Sequence, residues 1–365
     1  SFYSYQGARL TMPIFVIALA VIFFQRLLKI KKEMVIAALL GFVLILPALT
    51  TFLIGTGQVR FSGVSIFADP GPFWATNELR GQHANPAGLI SEIFHNKLQA
   101  YGTFFFKNYF EHFSGNFLVI SGDPISRNNI PETGVAYLFD IPFLLAGLYF
   151  LFKKLDKFWA VPVVWLLIAP IASAITFQSP QATRSEAMVV PLTMISAFGL
   201  YHFLKMILPH KKIFVLFLIL ITMFGIYNFS RYLHQYYVHN PKVQPVAFEF
   251  GFAQLVPKVN AVKDKYDKVL VTDRYDQPYI LFLFYSKYSP EVFQKEAKLT
   301  PRDQFGFSTV ANFDKFEFRK INWKEDQNLK NTLIVGTSEE IPENVKIQDL
   351  VLNPNGSVAF KIVGT

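Results

Sequence analysis

Long apolar runs separated by short polar loops fill the first 230 residues, and short apolar runs with turn signals fill the remainder. A membrane span needs about 20 apolar residues to cross the hydrocarbon core. Six stretches are candidates, at roughly residues 11–28, 34–55, 136–152, 158–177, 187–208 and 213–230, several of them near the short limit. The loops "RLLKIKKE", "KKLDK" and "KMILPHKK" hold Arg26, Lys29, Lys31, Lys32, Lys153, Lys154, Lys157, Lys205, Lys211 and Lys212. Every second connection is therefore basic, which predicts that these three loops are cytoplasmic. Residues 1–10, the segment 57–135, the loop "FQSPQATRSE" at 177–186 and everything after about 231 are then expected outside.

The segment 57–135 is too long for a plain connector. Its middle, "NPAGLISEIFHNKLQAYGTFFFKNYFEHF", is aromatic but punctuated by Glu92, Lys97, Lys107 and Glu111. That pattern predicts one or two amphipathic helices in the membrane interface. Beyond residue 231, "DKVLVTDR" and "NTLIVGTS" read as buried strands and "FEFRKINW" as a half-exposed one. "DLVLNPNGSVAFKIV" reads as a hairpin turning at Asn353–Gly356, and a helix is expected over about 245–264. The expected architecture is a mainly α polytopic membrane bundle over 1–230, with 231–365 as an extracytoplasmic α/β domain. Some 130 residues suffice for a core of its own.

Composition agrees with a membrane chain: 52% of residues are hydrophobic and 17% charged, against about 25% charged in soluble domains. The net charge of +9 follows from the basic loops and gives no reason to invoke nucleic acid. With no cysteine, disulfides, thiolate metal sites and a cysteine nucleophile are excluded. Ser1 and the lack of a signal-peptide pattern make the chain read as a fragment or processed form.

Glycine-rich phosphate loops, HExxH and G-x-S-x-G turns are absent, and the seven histidines are dispersed. No metal or cofactor is expected. His95 and His112 read as interfacial hydrogen-bonding residues. What stands out is a set of arginines at expected outer ends of spans: Arg9, Arg60, Arg127 and Arg184. Any one of them can snorkel to lipid headgroups. Together they suit a phosphate-bearing lipid, because a planar guanidinium holds phosphate through paired hydrogen bonds. External carboxylates at Asp69, Glu78, Glu92, Glu111, Asp123 and Glu132 are candidate bases, none distinguished from the others.

The stretches "YSYQGARLTMPIF", "RFSGVSIF", "IFHNKL", "NYFEHFSGNFLVISGD", "YLFDIPFLLAGLYFL" and "QATRSEAMVVPLTMISAFGL" resemble the later half of bacterial membrane glycosyltransferases. The similar family is the dolichyl-phosphate-mannose–protein mannosyltransferase type, with relatives among lipid A aminoarabinose transferases. The resemblance implies a GT-C fold and an inverting transfer of sugar from a polyprenyl-phosphate carrier on the extracytoplasmic side. The acceptor would be a protein, a glycan or a lipid. It implies lipid-phosphate or donor binding by Tyr5, Arg9, Arg60 and Arg184, with His95, Lys97, Tyr109, His112, Asp123 and Arg127 as site-lining candidates. The family's catalytic carboxylate lies in a first external loop, expected upstream of Ser1, so the fragment alone is expected to be inactive. Two other classes compete: a transporter of a lipid-linked substrate, and a non-catalytic anchor displaying its C-terminal domain. The first would put ionisable groups inside the spans, where only Asp140 and His202, both near ends, occur. The second leaves the external arginines without a purpose.

Overall fold

The computed structural model describes residues 5–53, 59–154, 157–275, 277–303 and 307–365. They fall into two compact units, one ending at Tyr232 and the other beginning at Leu233.

Among the described residues, three helical segments are long and apolar enough to cross a membrane, by length and composition: Lys31–Thr50, Glu186–Ile207 and Lys211–Val243. The helix Lys211–His234 has no buried residue, and Leu39, Leu40, Val43 and Leu44 of the helix Lys31–Leu53 are all exposed. Apolar all round and unburied, such helices are matched to lipid rather than to a protein core. The other expected spans are shorter pieces. Gln6–Ile22 stops at Phe23 before the single turn Phe24–Leu27. Asp140–Lys154 has 15 residues, a rise of about 22 Å against a core of about 30 Å. Lys157–Ile168 ends ahead of Pro170, which has no N–H to continue the ladder, and Ile171–Ala174 follows as one turn. Six spans therefore exceed what helix length supports.

The helices Asp140–Lys154 and Val189–Ile207 approach backbone to backbone. A Cβ on Gly199 would run into the Phe143 carbonyl oxygen, and one on Gly147 into that of Ile195. Small residues permit such contact between apolar helices. Around it Leu151, Leu166, Met188, Ile195 and Phe198 form a core.

Within 57–135 the helices Gly71–Gly81, Leu89–Phe94 and Lys97–Glu111 form. The aromatic stretch is thus two helices, broken where Asn96 caps the second by accepting the Gln99 N–H at 2.9 Å.

The second unit is built on a seven-stranded sheet: β1 Lys268–Val271, β2 Lys298–Leu299, β3 Val310–Phe313, β4 Phe316–Phe318, β5 Thr332–Gly336, β6 Asp349–Leu352 and β7 Val358–Gly364. Their order is β2-β3-β4-β1-β5-β7-β6. β1 pairs in parallel with β4 and β5; the other pairs are antiparallel. Alternating residues face two cores. Val269, Val271, Leu333 and Val335 pack with Phe252, Leu255 and Phe282 on one side. Leu270, Ile334 and Val363 pack with Ile321, Ile341 and Trp323 on the other.

Two expectations need correcting. The helix over 245–264 begins only at Phe252, after turns in which Glu249 takes a positive φ of 53°, a backbone state no helix can continue through. In "FEFRKINW" only Phe316–Phe318 is strand. Beyond it Arg319 is bound to Asp326 through Nη2–Oδ1 at 2.6 Å and Nη1–Oδ2 at 3.0 Å, drawing the chain into the turn Trp323–Asp326. That guanidinium holds the Asp326 carboxyl below the usual carboxylate range.

Candidate functional site: the 175–185 loop

The loop that carries Arg184 is where several distant stretches meet. Backbone pairing attaches it to the segment after the helix Val59–Val64. Ile66 N–H donates to the Ile175 carbonyl at 2.9 Å, and Phe177 N–H to the Val64 carbonyl at 3.1 Å. Ser65 and Thr176 form the bridge between these bonds. Buried Asn108, on the helix Lys97–Glu111, donates Nδ2–H to the Thr176 carbonyl at 3.1 Å and the Ala174 carbonyl at 3.3 Å.

One turn further along that helix, His112 is fully buried. Its Nδ1 lies 2.8 Å from the Asn108 carbonyl oxygen. A carbonyl only accepts, so Nδ1 carries the proton and the bare Nε2 accepts the Gln181 N–H at 3.4 Å. Burial lowers the His112 pKa, while its backbone bonds and Asp123 pull the other way. The ring is therefore neutral and both its nitrogens are engaged. Asp123, also buried, accepts the Ala182 N–H at 2.7 Å, the Ile125 N–H at 2.8 Å and Asn128 Nδ2–H at 3.2 Å. A histidine and a carboxylate expected to line a site thus hold the backbone of the loop that carries Arg184.

Arg184 is half-buried and its Nη1 donates to Thr176 Oγ1 at 2.7 Å. Tyr5 Oη donates to the Thr183 carbonyl at 3.3 Å, which ties the start of the helix Gln6–Ile22 to the same loop. Arg9 lies in the first turn of that helix. Arg60 lies on the helix Val59–Val64, whose last carbonyl bonds the loop; its side chain lies outside the described residues. All four expected donor-binding positions are therefore carried by elements that converge on residues 175–185.

The remaining candidates go elsewhere. His95 packs against His83 with ring centroids 5.0 Å apart. Lys97 Nζ sits 4.6 Å from the centroid of the Phe73 ring. Tyr109 donates its hydroxyl to the Leu167 carbonyl at 2.7 Å, and burial raises its pKa. Arg127 is exposed in the turn Ser126–Asn128. Sequence reasoning missed Asn108, Thr176 and Gln181, whose buried Oε1 has no hydrogen-bond partner. The four-residue spacing of Asn108 and His112 on one amphipathic helix was the available signal.

Beside the loop lies a cavity of about 840 Å3, bounded by Ala182, Thr183 and Ser185 and by the helices Asp140–Lys154 and Val189–Ile207. Its wall is mainly apolar, with Phe117, Phe143, Leu144 and Leu192 among the lining. Among the described residues no lysine or arginine lines it; its charged groups are Asp140 and Glu186. Among them, too, no three His, Asp or Glu side chains are grouped to hold a metal ion. Comparison with protein-family models, curated proteins and solved structures gives no match for this chain.

Proposed function

We propose that this chain is the carrier-binding part of a multi-pass membrane glycosyltransferase, in which the Arg184 loop holds the phosphate of a polyprenyl-phosphate-linked sugar. The observation that carries this reading is the convergence of Tyr5, Arg184 and the helices that carry Arg9 and Arg60 on one braced loop. Fixed cations at a phosphate leaving group stabilise the charge that develops there, and a loop fastened by Asn108, His112 and Asp123 does not have to reorganise. The adjoining apolar cavity accommodates a chain of the lipid. Asp140 and Glu186 on its wall repel a phosphate, so the headgroup belongs on the arginine side.

In this reading the loop and the C-terminal unit are extracytoplasmic. That assignment does not depend on whether the pair Asp140–Lys154 and Lys157–Ile168 crosses the bilayer, because a hairpin returns the chain to the side it left. The basic loops at 26–32 and 205–212 set the sign. An impermeant thiol reagent on intact cells is expected to label Gln178→Cys and spare Lys29→Cys, which precedes the span Lys31–Thr50.

The phosphate role is tested on the full chain in nanodiscs by titration with a short-chain polyprenyl phosphate. Losing a charge-assisted bond removes about 1.5–3 kcal/mol, so Arg184→Ala should weaken binding by about one to two powers of ten. Arg184→Lys should also weaken it, because a point charge lacks the paired geometry. Undiminished binding by both variants would overturn the proposal.

A further inference from the structure

Two of the helices on one face of the sheet in the second unit differ in what they present outward. The helix Phe252–Val262 buries Phe252, Leu255, Val256 and Val259, and exposes Ala253 and Gln254. That is the ordinary pattern of a surface helix. The helix Pro278–Ser286, "PYILFLFYS", buries Pro278 and Phe282 against the same core, yet it has no charged residue. Its outward positions are Ile280, Phe284 and Tyr285, at 48%, 71% and 39% exposure. Ile280 and Phe284 are four residues apart and so form one stripe. The Phe284 and Tyr285 rings adjoin, with centroids 5.1 Å apart. Exposed Lys287 ends the helix in a left-handed conformation at φ 51°.

We propose that this stripe is a membrane-docking surface, with Ile280 and Phe284 inserted into the acyl boundary of the bilayer and Tyr285 and Lys287 at headgroup level. Three observations select lipid as the occupant. The unit begins at Leu233, within the apolar segment Lys211–Val243 that is long enough to span a membrane, so a bilayer surface is always within its reach. The stripe combines aliphatic and phenyl groups with a tyrosine and a lysine, the side chains that partition between acyl chains and headgroups. The helix also lacks the acidic residues that anionic lipid would repel. The inference does not depend on the glycosyltransferase reading; it requires only that the preceding helix be inserted.

The 365 residues hold no cysteine, so a single nitroxide can be placed at will on this chain in nanodiscs. Phe284→Cys carries the probe label, and the exposed position Lys324→Cys carries the reference. The latter belongs to the turn Trp323–Asp326 on the opposite face of the sheet. The expected result at 284 is collision with oxygen in excess of collision with a water-soluble nickel chelate, and at 324 the reverse. An Ile280→Ser companion change should shift the label at 284 toward water. If the label at 284 collides freely with the chelate, the stripe faces solvent and the proposal fails. Shielding from both reagents would also overturn it, because the stripe would then be covered by protein, from this chain or a second copy.

Discussion

Nη1 of Arg184 donates to Oγ1 of Thr176 across 2.7 Å, closing the loop they share. The arginine proposed to hold phosphate is therefore also a brace, and the two roles separate by substitution. Thr176→Val removes the acceptor but keeps the cation. It is expected to destabilise the first unit by about 1–3 kcal/mol, since a buried hydroxyl network is broken, while leaving polyprenyl-phosphate affinity largely unchanged. Thermal unfolding in detergent and nanodisc titration read the two effects. Equal loss of affinity in Thr176→Val and Arg184→Ala would reduce the arginine to a brace.

His112 gives the loop a pH dependence of defined sign. Burial lowers its pKa from the ordinary 6.5, so the unfolded chain takes up a proton at a pH where the native ring stays neutral. The stability it contributes is complete above about 6.5 and is lost as pH falls through the window between that value and the lower native one. The protection factor of the Gln181 N–H, which is held by Nε2, should fall between pH 7 and 5 once the intrinsic pH dependence of exchange is divided out. His112→Asn should flatten that dependence.

Gly199 has no space for a side chain, because its Cα faces the Phe143 carbonyl across the helix contact. Gly199→Val is expected to force the helices Asp140–Lys154 and Val189–Ile207 apart, at a cost of at least about 1–3 kcal/mol. Loss of the folded fraction in size-exclusion chromatography after mild heating measures it. An unchanged melting temperature would contradict the packing described.

Phe282 and Phe284 stand two residues apart on one helix, one with no exposed surface and the other 71% exposed. Phe282→Ala should destabilise the second unit by about 3–5 kcal/mol. Phe284→Ala should alter it by less than about 0.5 kcal/mol, the range of surface changes. Urea-dependent exchange of the β1 amides separates the two variants.

Local pattern was enough to place the elements whose burial follows one repeating rule. The continuous apolar runs of β1 and β5 are buried, and the turn at Asn353–Gly356 joins β6 to β7. The exposed two-residue β2 has no such pattern, since its partner β3 alone makes it a strand. Apolar content was likewise a poor guide to helix length in the third and fourth candidate spans, where a turn and Pro170 interrupt the ladder.

The sequence by itself determined the apolar, basic-looped character of the first 230 residues, the α/β character of the tail and which arginines are candidates. These are properties of composition and of hydrogen bonding within a few residues of chain. Only the tertiary structure decided which candidates meet. Tyr5 reaches Thr183 across 178 positions, and Asn108 reaches Thr176 across 68. It also showed that His112 and Asp123 fasten one loop. A side chain's role depends on which donors and acceptors share its burial, and no periodicity in the chain encodes partners that far apart.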